Sequence, residues 1–254
     1  MTKLKNIISD ELKCFRSEIH IFEHIIWWLM RIALLIVMVN IAIDNIQDIR
    51  VLQIGGCLLA TFTIPLLKLL FCWHKTLFKK LSFRCQTWLN ITVFFASFFG
   101  QGLDWYHEFT SWDKIIHFIT GGTVVLIGNE FVTMMMRKDD KMSPLNRTFS
   151  AIGFSFFIMV IWELIEFFFD YFIIDSFLQR YDPCDELDCA NTLFIKFFGE
   201  SVNNGRITDD GIIINHWPLY DTNMDLFYAS SCALIVGFFL YLFYKRKEKN
   251  KKTF

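Results

Sequence analysis

The stretch "WDKIIHFITGGTVVLIGNEFVTMMM", residues 112–136, decides the fold. A helix of about 20 apolar residues crosses the hydrocarbon core of a bilayer, and this run reaches that length. Its beginning is the oddity, because Asp113, Lys114 and His117 stand where lipid would surround them. Working outward, apolar runs of similar length lie at 25–43, 51–72, 88–106, 148–172 and 224–244. The sequence therefore predicts an all-α integral membrane protein of about six transmembrane helices.

Composition agrees. Of 254 residues, 54% are hydrophobic and 18% aromatic, 30 of them Phe, well beyond the balance of a soluble chain. The net charge of -1 gives no basic surface for nucleic acid and excludes it as a partner. Position along the chain says more than the sum. Lys3, Lys5, Lys13 and Arg16 precede the first span; Lys75, Lys79, Lys80 and Arg84 follow the second; Arg137, Lys138, Lys141 and Arg147 follow the fourth. With the basic tail, the positive-inside rule puts the N- and C-termini in the cytoplasm. No small-residue cleavage site follows the apolar run from Ile25, so the first span is expected to serve as its own insertion signal.

Three parts follow. Residues 1–24 place Leu4, Ile8, Leu12, Phe15, Ile19 and Phe22 on one stripe, an amphipathic helix at the cytoplasmic surface or against another helix. Residues 25–244 form the six-span domain, with an extracytoplasmic 173–220 loop, and 245–254 are a basic cytoplasmic tail. Turn-forming residues dominate the loop, where an oxidising compartment allows a disulfide between Cys184 and Cys189. A zinc site at that pair lacks two further ligands. Pro65 is expected to kink the second span, Arg31 and Lys68 to snorkel from inner span ends, and Gly121 and Gly122 to let helices approach closely. Glu130, 17 residues after Asp113, falls at the cytoplasmic end.

Orientation gathers the acids. Asp113 and His117 open the fourth span, Glu163 and Glu166 close the fifth, and Asp221 and Asp225 open the sixth, all at the outer leaflet. Each pair is three or four residues apart and projects from one helix face. Asp104, at the end of the third span, can join them. A charge in hydrocarbon costs about 2.5–3.5 kcal/mol on insertion scales, so these groups are expected to face one another or a wet cavity. So many carboxylates around one imidazole call for a counter-charge, supplied by a cation or by protons. Carboxylates with one His suit a hard divalent metal ion, with Mg, Ca or Mn favoured.

In a catalytic reading His117 is base or ligand, Asp113 orients it, and Glu163, Glu166, Asp221 and Asp225 are ligands or acid–base groups. No Ser or Cys stands in a nucleophile's context. Three classes stay open: an enzyme on a cell-envelope lipid or lipid-linked substrate, a small ion- or proton-coupled transporter, and a scaffold whose polar cluster fastens helices. Internal repeats, common in transporters, are not visible.

The order "DKIIHF", "WELIEF", "DTNMD", each at a span end, resembles the VanZ-like membrane proteins and, more closely, the bacterial YjdF-type inner-membrane family. In those families a D-K-x-x-H motif opens one span, a glutamate lies near the end of the next, and an aspartate opens the last. The resemblance spans roughly residues 100 to 240. It implies a multi-pass protein of the bacterial plasma membrane with Asp113, Lys114, His117, Glu163, Glu166, Asp221 and Asp225 at the family's polar positions.

Overall fold

The computed structural model describes residues 2–70, 80–109, 111–136, 141–172, 206–207, 213–214 and 218–252. Helix α1 is Thr2–Glu18, α2 Ile21–Asp44, α3 Ile49–Ala60, α4 Thr63–Leu70 and α5 Arg84–Phe94. A π-helical stretch, Phe95–Gly102, extends α5; then come α6 Trp105–Glu108, α7 Trp112–Met135, α8 Pro144–Phe172 and α9 Pro218–Lys252. A two-residue antiparallel ladder, Arg206–Ile207 with Ile213–Ile214, lies in the segment read as turn-rich. The other residues of 173–217, Cys184 and Cys189 among them, lie outside the described residues.

Among the described residues, four helices are long and apolar enough to cross a membrane: α2, α7, α8 and α9. The α3–α4 pair, bent by 55°, makes a fifth candidate crossing. The stretch expected as a third span is α5 and its π extension rather than one regular helix. Its end is shaped by close packing. A Cβ on Gly100 would stand 2.1 Å from the Tyr106 ring and one on Gly102 2.6 Å from Val37. The basic residues after Tyr244 continue α9 as helix through Lys252.

The bend between α3 and α4 has a local cause and a distant repair. Pro65 has no N–H, so the Thr61 carbonyl loses the donor that a continuous helix would offer it. Arg31 Nη2 supplies that donor at 2.5 Å, with Arg31 Nε donating to Thr61 Oγ1 at 3.1 Å. One residue earlier, the Gln86 side chain takes the place of a backbone bond. Its Oε1 accepts from Ile64 N at 2.8 Å and its Nε2 donates to Ala60 O at 3.3 Å. Unanswered backbone groups in hydrocarbon cost several kcal/mol each, so a break at this depth persists only because other helices answer it. Arg31 does not snorkel. Its guanidinium is buried, 3.9 Å from the Phe62 ring centroid, at the carbonyl end of α3, where the helix dipole favours a cation.

Helix α1 docks on the same side of the molecule. Ile19, Trp27, Ile64, Leu81, Phe83, Cys85 and Met134 form one apolar cluster, with Phe15 packed against it. Glu18 accepts from Phe83 N at 2.6 Å and from Ser82 Oγ at 2.9 Å. Buried Lys68 pairs with Glu11 at 3.2 Å instead of reaching for solvent.

Helices α7, α8 and α9 form a tripod that positions the polar residues. Contacts between α7 and α9 climb together along both chains, so the two run parallel, and α8 returns antiparallel between them. The α7–α9 seam is built from small residues. A Cβ on Gly121 would stand 2.0 Å from Ala229 O and one on Gly122 2.6 Å from Cys232 Sγ. Close backbone approach of this kind is the main source of helix association in lipid. Val125, Ala151 and Ala233 are fully enclosed where the three helices meet. Ser155 Oγ donates to Gly121 O at 2.8 Å across α8 and α7. At the far end of the tripod, Asn129 Oδ1 accepts from Arg147 Nε at 2.8 Å and from Tyr244 OH at 3.1 Å. Glu130 lies at that end, under the charges of Arg84 and Arg147.

Candidate functional site

The start of α7 is sheltered by aromatic side chains. Trp112 is buried, with the Trp105 ring edge-on at 4.7 Å and Phe99 at 5.8 Å. One turn later, Asp113 and His117 share a face of α7 because they are four residues apart. The Gly121–Ala229 contact sets the register. One turn back along each helix from that contact stand His117 and Asp225, so the small residues of the seam bring the two polar ones together. Glu163 reaches the same place from antiparallel α8.

The result is one imidazole between carboxylates from three helices. His117 Nε2 lies 3.7 Å from Asp113 Oδ1 and 3.9 Å from Asp225 Oδ1. On the opposite edge, His117 Nδ1 lies 3.6 Å from Glu163 Oε1. All are deeply buried, His117 to 4% exposure and Asp225 to 1%. Lys114 Nζ bridges two of the acids, 2.8 Å from Asp225 Oδ1 and 3.1 Å from Asp113 Oδ2. Glu166 is buried one turn beyond Glu163, and its Oε1 accepts from Trp162 Nε1 at 2.6 Å.

Two sets of atoms could hold a metal ion: those of Asp113, His117 and Asp225, and those of His117, Glu163 and Glu166, with ligand atoms within 4.8 Å of one another in each set. His117 belongs to both. Among the described residues, the four carboxylates face one ammonium and one imidazole, so the cluster is negative unless it takes up protons or a cation. Buried acids around an imidazole can bind a divalent ion or pass a proton.

Of the residues picked out from sequence, Asp113, His117, Glu163, Glu166 and Asp225 stand together. The Asp221 side chain lies outside the described residues. Asp104 does not join them. It sits at positive φ, 60°, after the π stretch, and its charge acts on Arg50. One contributor went unassigned in the sequence reading. Trp162 holds Glu166 through an i,i+4 hydrogen bond, a spacing visible in "WELIE". Lys114, one of the polar positions that the resemblance implies, reaches across to Asp225 on α9.

Long apolar helices around a buried polar cluster define a multi-pass helical membrane protein. The family model described as "Predicted membrane protein (DUF2238)" matches residues 26–246, and the chain belongs to that family. The matched stretch begins after α1 and includes every residue of the cluster. No curated protein and no solved structure matches the chain.

Proposed function

We propose that this chain is a bacterial plasma-membrane protein with six crossings, in which the α3–α4 pair and α5 with its π extension each count as one. Both termini face the cytoplasm, and the cluster opens to the extracytoplasmic side. There it holds a divalent cation and acts on the head group of a cell-envelope lipid or lipid-linked substrate. The observation that carries this reading is the burial of His117 between acids of α7, α8 and α9, 3.6 to 3.9 Å from three of their oxygens. Interhelical hydrogen bonds in membranes average only about 0.6 kcal/mol, too little to explain so many carboxylates as fasteners. The basic residues flanking the spans support the orientation. The resemblance of "DKIIHF" and its partners to VanZ-like and YjdF-type proteins supports the envelope setting.

Metal analysis of the purified protein beside His117→Ala and Glu163→Ala tests the reading. Near-stoichiometric metal in the parent and none in folded variants is the expected result. A parent without metal, with variants that only melt at lower temperature, leaves the cluster as a scaffold. An imidazole with carboxylates on both edges is also the layout of a proton relay. That second reading requires pH-driven flux in liposomes that Glu163→Ala abolishes.

A further inference from the structure

The two edges of the His117 ring are not equivalent. Around Nε2 stand Asp113 and Asp225, at 3.7 and 3.9 Å. In the neutral ring, a proton on Nε2 faces two carboxylates, and that tautomer turns the Nδ1 lone pair toward Glu163. Nδ1 itself is buried and makes no hydrogen bond among the described residues. It therefore presents a lone pair to an oxygen 3.6 Å away that also carries lone pairs. Such atoms repel unless a positive centre lies between them, and 3.6 Å is too long for a shared proton. Two metal–ligand bonds of about 2.1 Å meeting at about 120° span that gap, and those are ordinary bonds for a divalent ion on imidazole and carboxylate. Glu166 contributes a third ligand atom within 4.8 Å of the other two.

The Nε2 edge already holds a cation of its own. Lys114 Nζ lies 2.8 Å from Asp225 and 3.1 Å from Asp113, so a divalent ion on those two acids would compete with an ammonium for the same oxygens. Like charges at such separations repel strongly in a buried site.

The geometry points to a single divalent cation on the Nδ1 edge, held by His117, Glu163 and Glu166, with Lys114 as a tethered cation that closes the Asp113–Asp225 edge to a second ion. This assignment rests on the cation-holding function proposed above, and adds the ring edge, the number of ions and a specificity role for Lys114. Lys114 is a positioning residue: it acts through the two aspartates.

Mn2+ titration of the full-length protein in detergent, followed by electron paramagnetic resonance, tests it. The parent is expected to take up one ion that shows nitrogen coupling from the imidazole. Glu163→Gln should weaken uptake by at least about tenfold, the scale on which ligand-shell changes act. Lys114→Met should bind a second ion. Circular dichroism melts establish that each variant is folded, and Glu166→Gln replaces Glu163→Gln where the latter is not. If Lys114→Met still binds one ion, its closing role is wrong. If Asp225→Asn removes the ion while Glu163→Gln and Glu166→Gln keep it, the ion is on the other edge and this inference fails while the cation-holding function stands. A parent that binds no Mn2+ ends both.

Discussion

Two buried polar regions of this molecule obey opposite rules. At the α3–α4 break the backbone groups that the bend frees are answered: Gln86 meets Ala60 O and Ile64 N, and Arg31 meets both oxygens of Thr61. Around His117, four carboxylates share one ammonium and one imidazole among the described residues, and the ring's distances of 3.6 to 3.9 Å to three of them are too long for hydrogen bonds. A closed network stabilises a fold by itself. A cluster with more carboxylates than cations gains stability when a cation or protons bind, so the two regions should respond differently to substitution.

The largest effect is expected at the closed network. Gln86→Leu leaves two buried backbone groups unanswered, at about 1–3 kcal/mol each, and should lower the melting temperature sharply in detergent. Cation uptake by the folded fraction should be unchanged; parallel loss of both would erase the distinction between the regions. Next is Glu163→Gln, whose effect should depend on the medium. At a cation concentration 100 times the dissociation constant the parent gains about 2.7 kcal/mol from binding, and the variant should gain almost none. In chelator the variant should be no less stable than the parent, because it has one buried carboxylate fewer. Melting curves with and without chelator measure both arms, and a variant equally weakened in each would make Glu163 a structural residue.

The smallest effect belongs to an answered pair outside the spans. Asp48 accepts from Arg50 Nη2 at 2.7 Å, and that hydrogen bond holds its carboxyl below the usual range. A depressed folded pKa contributes stability above the unfolded value, near 3.9, that is lost as pH falls through the folded value. Asp48→Asn, which keeps the capping oxygen of α3, should therefore cost up to about 1 kcal/mol at pH 7 and nothing in strong acid. Thermal melts across that range read the difference; a constant deficit at every pH would point to the cap and not to the charge.

Much of this was legible in the sequence for a local reason. The apolar run of residues 112–136 predicts α7, and the pairs at i,i+3 and i,i+4 show which acids share a face. Charge asymmetry gives depth, which is how Asp113, Glu163 and Asp225 could be placed at one level before any contact was known. What sequence missed is non-local. Pro65 marks a kink, but nothing near it shows that Gln86, on a different helix, fills the gap. Arg31 reads as a snorkelling residue until the carbonyl it answers is seen. The π stretch after Phe94 ends where Gly100 and Gly102 meet Tyr106 and Val37, contacts that no local pattern shows. By sequence Asp104 falls at the depth of the cluster, yet it sits at a positive-φ turn after the π stretch and its charge acts on Arg50.

The Gly121–Ala229 contact has a mechanical consequence. Asp225 stands four residues before Ala229 and Tyr244 fifteen after it, arms of about 6 and 22 Å along α9. With the two backbones touching at that point, it acts as a fulcrum. A tilt of α9 that draws Asp225 away from Lys114 presses Tyr244 toward Asn129 and Arg147, and the reverse tilt exchanges the two. A tilt at the acidic end would thus be magnified roughly fourfold at the other, about a pivot that a single added methyl group would jam.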